Sequence, residues 1–314
     1  MAEKVQIESF EEDTQEDEEA LNTELNGFAP AGIDVEYSGI SSTFHSPVPK
    51  DFHSGEPCIL GVDEAGRGPV LGSMVYALSY CLKSYSANLK LLGFADSKTL
   101  THETRVRLFK QVCNVECEED ELFRNVGWST RIMTARDISS EMLRLKSRVT
   151  NLNEQAHDAT IALIRGVLDS GVNVNEIYVD TVGSPQSYQA KLQRQFPTTK
   201  VTVTKKADSL FPIVSVASIC AKVTRDFSLM RLDESGGTWG SGYPSDARTS
   251  TWIKSNIHPV FGWSEIVRFS WQTARDLLDK NKDVVKVIWH DPVEISAFLS
   301  KFSHWPGKLV TNEF

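Results

Sequence analysis

Apolar positions along the chain alternate between short unbroken runs and repeats at three and four residues. That alternation predicts an α/β body. Ile59–Leu60–Gly61–Val62 is a short apolar run of the kind a buried strand makes. Gly66 and Gly68 break it, and Val70 to Tyr80 is β-branched and aromatic enough for a second strand, antiparallel to the first by proximity. Thr101 to Val112 has helical spacing in Val106, Leu108, Phe109 and Val112. The clearest helix runs from Asn153 to Ser170, with Ala156, Ala159, Thr160, Leu163, Ile164, Val167 and Leu168 on one face. Gly171 stands where its C-terminal cap belongs. Glu176 to Asp180 reads as a strand, Pro185 to Phe196 as a helix with Pro at its start, and Lys200 to Val203 as a third central strand. Pro212 to Leu232 is a long, largely apolar helix. Strands interleaved with helices in this way imply a sheet that is parallel in part. No internal repeat is visible.

The outer segments have a different texture. Residues 1–28 are acidic, weakly apolar and without period, and read as a disordered tail. Residues 29–57 contain Pro30, Gly32, Gly39, Pro47, Pro49, Gly55 and Pro57 and read as an irregular lead-in. A folded body is expected over 58–278, followed by an extension over 279–314. Composition is ordinary for a globular protein, and no apolar run approaches the roughly 20 residues of a membrane span. The N-terminal stretch has neither the apolar centre of a secretory signal nor the Arg- and Ser-rich pattern of an organellar one.

Charge at first argues against a nucleic-acid enzyme, because the net value is −9. Its placement removes the objection. The first 30 residues hold ten acids and one base, which accounts for the whole imbalance, and the remaining 32 bases and 32 acids cancel. A neutral body can carry a local basic groove, and phosphate contact needs only that. The five cysteines, Cys58, Cys81, Cys113, Cys117 and Cys220, are odd in number and read as reduced thiols of a cytosolic or nuclear compartment. Cys113 and Cys117 lack the two further ligands that a zinc site needs.

Chemistry concentrates at strand ends. Asp63 and Glu64 follow the first apolar run directly, and two adjacent acids are unfavourable to crowd unless something neutralises them. Asp180 ends a second apolar strand ahead of the turn Thr181–Val182–Gly183. Asp208 follows the third strand after Lys205–Lys206–Ala207 and opens an apolar helix. Singly, each is equally a cap or turn acid. Together they would converge at one edge of a sheet, where open α/β sheets place their sites. Four carboxylates suit hard divalent cations, chiefly Mg²⁺ or Mn²⁺, and a pair of such ions activates water and stabilises the leaving oxygen of a phosphodiester. Gly66–Arg67–Gly68 adds an anion binder, since glycines admit a phosphate close to the backbone and Arg grips it with two donors. An anion binder beside a cation site implies a phosphate ester between them.

These residues carry a resemblance. Val62–Asp63–Glu64–Ala65–Gly66–Arg67–Gly68–Pro69–Val70–Leu71–Gly72 is similar to the signature of the type 2 ribonucleases H. Asp96–Ser97–Lys98, Val179–Asp180–Thr181–Val182–Gly183, Lys206–Ala207–Asp208–Ser209, Ser215 to Lys222 and Gly240–Ser241–Gly242–Tyr243–Pro244 resemble that family's later motifs, in the same order. The likeness runs from about Cys58 to about Leu278. Val179–Gly183 and Val267–Arg268–Phe269–Ser270–Trp271 resemble the catalytic chain of the eukaryotic heterotrimers more than the bacterial monomers.

The resemblance implies a ribonuclease H-like mixed sheet flanked by helices, with a mainly helical C-terminal part. It implies a catalytic metal centre of Asp63, Glu64, Asp180 and Asp208 holding two Mg²⁺ or Mn²⁺ ions. The implied reaction cuts RNA in RNA–DNA hybrids, and duplex DNA on the 5′ side of single embedded ribonucleotides, leaving 3′-hydroxyl and 5′-phosphate ends. Gly66, Arg67 and Gly68 would hold the 2′-hydroxyl and neighbouring phosphates, the group that separates RNA from DNA. Tyr243 would stack beneath the ribose, and Lys98, Asn153 and Thr273 would touch the substrate backbone. Without the likeness, Tyr243 reads as a turn tyrosine and Asn153 as a helix cap. The same resemblance implies two non-catalytic partner subunits, a nuclear location and a role in ribonucleotide removal during replication and repair.

Other features stay open. Lys205 and Lys206 line a duplex channel or form a solvated pair. Val284, Val285, Val287, Ile288 and Trp289 either dock on partner subunits or pack on their own domain. His157 and His258 receive no role. A binding protein that does not cut, and a different nuclease on the same fold, are the rival functions. The presence of all four acids argues against the first, and the Gly66–Gly68 and Tyr243 motifs argue against the second.

Overall fold

The computed structural model describes residues 29–33, 39–50, 52, 55–94, 100–113, 120–144, 149–181, 183–232 and 238–286. Six strands form one sheet: β1 (Ser42–His45), β2 (Cys58–Ala65), β3 (Met74–Leu82), β4 (Gly127–Met133), β5 (Val174–Asp180) and β6 (Lys200–Thr204). Ten α-helices are described: α1 (Ser86–Leu91), α2 (His102–Cys113), α3 (Glu121–Asn125), α4 (Ala135–Met142), α5 (Leu152–Asp169), α6 (Pro185–Gln195), α7 (Ala207–Leu210), α8 (Pro212–Arg231), α9 (Ala247–Ser255) and α10 (Gln272–Lys280). The sheet order is β1-β4-β3-β2-β5-β6. β1, β4, β3 and β2 pair antiparallel, whereas β2–β5 and β5–β6 are parallel. The expected mixed sheet, with β3 antiparallel to β2, is what forms.

Helices cover both faces, as partly parallel sheets require. On one face α8, α1 and α2 close a core around Val75, Ala77, Phe109 and Trp128. On the other, α5 and α6 bury Leu60, Val62, Leu78, Ile164 and Leu192. A third core joins Val70 and Leu71 to Trp239, Ile253, Trp263, Val267 and Ala274 of the helical C-terminal part. The long helix α8 is apolar nearly all round because β2 and β3 cover it so closely. Its small residues Ser215, Ala217, Ser218 and Ala221 let it approach, and Gly61 of β2 meets it there. A side chain at Gly61 would put its first carbon 2.6 Å from the Ile213 carbonyl carbon and the Val214 nitrogen. Ser79 on β3 donates to the Ile213 carbonyl at 2.7 Å, fixing the helix's first turn on the sheet.

Several boundaries differ from the sequence reading, each for a visible reason. The second strand starts at Met74, not Val70, because Gly72 turns the chain with φ +79° and sends Val70 and Leu71 into the third core. The lead-in is not wholly irregular: Ser42–His45 is the edge strand β1, paired with β4. β4 itself has no alternation to betray it, because Ser129 and Thr130 are buried along with its apolar residues. Asp208 does not open the long helix. It lies in the separate short helix α7, and Phe211, extended ahead of Pro212, parts the two. Asn153 does not cap α5. Asn151 does, accepting from Asn153 and Glu154 N–H while the Glu154 carboxylate accepts from the Asn151 N–H. Gly171 ends α5 with φ +85°, as expected. The acidic tail, the Asp96–Ser97–Lys98 segment, Cys117 and residues 287–314 lie outside the described residues. Among the described residues no helix is long and apolar enough to cross a membrane.

The Gly61 contact leaves no room for a methyl group. Gly61→Ala is expected to lower unfolding stability by about 3 kcal/mol, read from urea denaturation midpoints, because overpacking here meets backbone and not a movable side chain.

Candidate active site

Three strand ends bring the acids to one edge. Asp63 and Glu64 close β2, Asp180 closes the parallel neighbour β5, and Asp208 sits in α7 just past β6. The turn from β6 into α7 runs through Lys206, whose φ of +57° is a left-handed conformation that non-glycine residues seldom adopt. Asp180 accepts from the N–H groups of Thr181 at 3.0 Å and Ala207 at 3.1 Å, which ties β5 to α7 beside Asp208. Asp63 accepts from the Glu64 N–H at 2.7 Å and hydrogen-bonds with Ser218 of α8. Asp63 and Asp208 are buried, and Glu64 and Asp180 are partly open.

The electrostatics of this edge are unfavourable as it stands. Burial, together with the charges of Asp180 and Asp208, pushes the Asp63 carboxyl up to about 7, against the bonds from Ser218 and the Glu64 N–H. Burial likewise pushes Glu64 up to about 8, with Asp63 and Asp180 adding and the Arg67 guanidinium opposing. Among the described residues no three His, Cys, Asp or Glu side chains are gathered into a formed ligand cage. The acids sit instead as a mutually repelling group, with the Arg67 guanidinium opposing the repulsion at Glu64. A set of carboxylate oxygens in that condition fits hard divalent cations, which would remove the repulsion.

The loop after β2 is held from behind. Gly66 turns with φ +78°, and Arg67 reaches forward to the Tyr76 hydroxyl at 3.3 Å and to the Asn153 side-chain oxygen. Gly68 lies against the Tyr243 ring: a side chain there would put its first carbon 2.9 Å from the ring edge. Tyr243 is 45% exposed, so one edge of its ring packs while the rest stays available. Arg268 is fully buried, and among the described residues no carboxylate pairs with it. Its guanidinium donates to the carbonyls of Gly72 at 2.9 Å, Arg67 at 3.2 Å and Gly66 at 2.6 Å. It stacks over Trp271 at 4.7 Å, and the Trp271 indole donates to the Gly68 carbonyl at 3.1 Å. With these carbonyls turned inward, the loop's other groups are left for a ligand. Burial and the neighbouring Arg225 bring the Arg268 pKa down to about 9, which leaves it charged at neutral pH.

The structure thus brings together Asp63, Glu64, Asp180 and Asp208 at one edge, and places Gly66, Arg67, Gly68, Tyr243 and Asn153 around it. Thr273 lines a separate groove with Ser250, Lys254 and Gln272, two residues beyond Trp271. Lys98 lies outside the described residues. Sequence reasoning missed Arg268 and Trp271 as the residues that fix the loop. A buried arginine looks like any surface arginine in a sequence, and only its place in the Val267–Trp271 segment hinted at it.

A mixed sheet of this topology, with acids at the strand ends and a glycine–arginine loop beside them, is the architecture of the ribonuclease H type. The family model described as Ribonuclease HII matches residues 60–274. A ribonuclease H2 subunit of Schizosaccharomyces pombe is 53% identical over 289 residues, spanning 90% of this chain and 86% of that protein. The crystal structure of ribonuclease H2 from Pyrococcus horikoshii is 30% identical, with a TM-score of 0.58 over 71% of this chain and 100% of that one. Bst-RNase HIII in complex with Mn²⁺, 18% identical with a TM-score of 0.56 over 73% of this chain and 71% of that one, shares the fold. The chain belongs to the type 2 ribonuclease H family, and the name of its S. pombe relative is that of one component of a multi-subunit enzyme. It is a hydrolase acting on RNA in RNA–DNA hybrids.

Two outcomes follow from this geometry. Asp63 and Glu64 titrate higher when folded than when unfolded, so the folded chain holds more protons between the ordinary carboxylate range and about pH 8. Stability of the metal-free chain therefore falls as pH rises through that window. An Asp63→Asn, Glu64→Gln chain should gain on the native one by roughly 5 °C or more in unfolding temperature between pH 5 and 9, read by circular dichroism. Other titrating groups, including His45 and His157, are common to both chains and drop out of the difference. Separately, Arg268→Lys keeps the charge, but a compact ammonium cannot span the three carbonyls that the planar guanidinium reaches. It is expected to cost about 2–4 kcal/mol in chemical denaturation, because buried carbonyls lose their donors.

Proposed function

We propose that this chain is the catalytic component of an endoribonuclease that cuts the RNA strand of RNA–DNA hybrids, and that cuts duplex DNA on the 5′ side of single embedded ribonucleotides. The observation that supports it best is the contact between Gly68 and the Tyr243 ring beside the four acids. That closeness supports reading the Gly66–Gly68 loop as a ribose sensor and the Tyr243 ring as a stacking surface for one nucleotide. In this reading Asp63, Glu64, Asp180 and Asp208 hold two divalent ions, Mg²⁺ or Mn²⁺. When bound, the ions supply an activated water and stabilise the leaving 3′ oxygen, which gives 3′-hydroxyl and 5′-phosphate ends. The crowded, under-compensated charge of the acids supports the ions, as does the Mn²⁺ complex of the fold relative.

The chain's own residues do the selecting. Backbone N–H groups of Gly66 and Gly68 receive the 2′-hydroxyl, since the carbonyls of both residues already accept from Arg268 and Trp271. Arg67, steadied by Tyr76 and Asn153, neutralises a neighbouring phosphate. Tyr243 presents a ring face to the sugar at the RNA-to-DNA junction, where a deoxyribose fits closely and a second ribose does not. Lys98 and Thr273 extend the backbone contacts. Two non-catalytic subunits complete the assembly. The exposed Val260, Phe261 and Val285 support docking near the C-terminal part. Free buried cysteines and the likeness to the S. pombe protein support a nuclear enzyme of ribonucleotide removal in replication and repair.

The test is cleavage of a duplex with one ribonucleotide, by the full chain with its partner subunits and Mg²⁺. Native enzyme is expected to nick on the 5′ side of that ribonucleotide and to leave the all-deoxy duplex intact. Asp63→Asn should lower the rate on the order of 1000-fold. Full cleavage by Asp63→Asn would remove the proposed metal centre.

A further inference from the structure

Glu64 and Asp180 line a pocket whose far wall, at His157 and Ser184, has no part in the reading above. Arg67, Asn153, His157 and Ser184 line it, and neither Gly68 nor Tyr243 does. A strand seated on Gly68 and Tyr243 that crosses the acids therefore continues into it. His157 of α5, in its wall, is stacked on Tyr188 of α6 with ring centroids 4.0 Å apart and planes 19° from parallel. The His157 Nδ1 is 3.4 Å from the Lys191 ammonium, and Lys191 in turn is 3.8 Å from the Asp158 carboxylate.

An ammonium has donors only, so at this contact Nδ1 accepts. The ring's one proton then sits on Nε2. Burial and the Lys191 charge lower the His157 pKa and keep the ring neutral. The stack on Tyr188 fixes the ring plane, so Lys191 sets the tautomer and Tyr188 the direction of a single N–H donor. A structural histidine needs neither a fixed tautomer nor a place in a polar pocket with a guanidinium. Glu64 and Asp180 repel any anion near their end of the pocket, which leaves the His157 end for one.

We propose that this pocket is a subsite for one phosphodiester of the substrate strand, on the side of the acids away from Tyr243. His157 donates to it through Nε2, and Arg67 supplies the charge. The subsite rests on the nuclease reading, because a nucleic-acid strand must cross the acids to reach it. Its work is to hold the strand on the 5′ side of the cut, so that the scissile linkage is gripped from both flanks.

The experiment replaces single phosphates by neutral methylphosphonates at the first three linkages 5′ of the cut, in a duplex with one ribonucleotide. Affinity for the full chain is read by fluorescence anisotropy, which needs no turnover, and cleavage is read separately. One of the three replacements should weaken native binding by about tenfold. His157→Phe, which keeps the ring stack, should weaken binding to the all-phosphate duplex by a similar factor and add nothing at that linkage. His157→Gln, which keeps an N–H donor, should bind within about threefold of native. Losses from His157→Phe and from the methylphosphonate that multiply at every position would overturn the subsite, as would native binding indifferent to all three. The second result needs no variant, so it stands even if His157→Phe fails to fold. A duplex cut normally without linkage dependence sinks the subsite and keeps the nuclease. A duplex bound with linkage dependence but never cut keeps the subsite and sinks the nuclease.

Discussion

The buried guanidinium of Arg268 holds the active loop to the rest of the molecule. A buried charge without a counter-ion is unfavourable unless every donor is used. Arg268 answers that demand by placing each of its three guanidinium nitrogens on a backbone carbonyl of the loop between β2 and β3. The bond network continues on both sides: the Val70 N–H donates to the Gly242 carbonyl, and the Arg268 N–H donates to the Val70 carbonyl. The loop is thereby sandwiched between the Tyr243 turn and the segment that leads into α10. Its shape is a property of three chain segments together. Its inward carbonyls are hydrogen-bonded by Arg268 and Trp271, which holds the loop's course.

The acids are under the opposite constraint. Their backbones are fixed by a central strand packed against α8 without a side chain between, and by two parallel neighbours in register. They cannot spread apart to relieve their repulsion. A fold that crowds carboxylates in this way stores affinity for cations in its architecture. In the proposed metal centre, the protonation that lets the metal-free chain tolerate the crowding would compete with an ion for the same oxygens.

Much of this is legible in the sequence, and the failures have physical causes. Periodicity finds α5, α6 and α8 because each buries one clear face or all faces. Strand ends can be read at Asp63 and Asp180 because an apolar run stops abruptly at an acid. Asp208 is legible as a site acid but its helix is not, because the break depends on the extended backbone at Phe211 before Pro212. β4 escapes because its buried hydroxyls mimic a surface pattern, and their partners lie far off in sequence, as Ser129 with His45 shows. Asn153 passes for a cap because Asn151, two residues earlier, has the same chemistry. Its true partner is Arg67, 86 positions away. Arg268 and the tautomer of His157 lie beyond any local pattern, since both are defined by atoms from distant elements.

The strand formed by Ser42–His45 bears on how the molecule avoids its own kind. β4 without it would end the sheet with an open ladder of N–H and carbonyl groups, flanked by Trp128 and Ile132. Such an edge recruits strands from other molecules. β1 covers it with a short strand whose side chains alternate between partly buried and exposed, and His45 pins it by hydrogen-bonding Ser129 and packing its ring on Gly166 of α5. The segment ahead of the nuclease body is therefore a guard against self-association. A chain trimmed to begin at Cys58 would keep every residue of the site and still tend to aggregate.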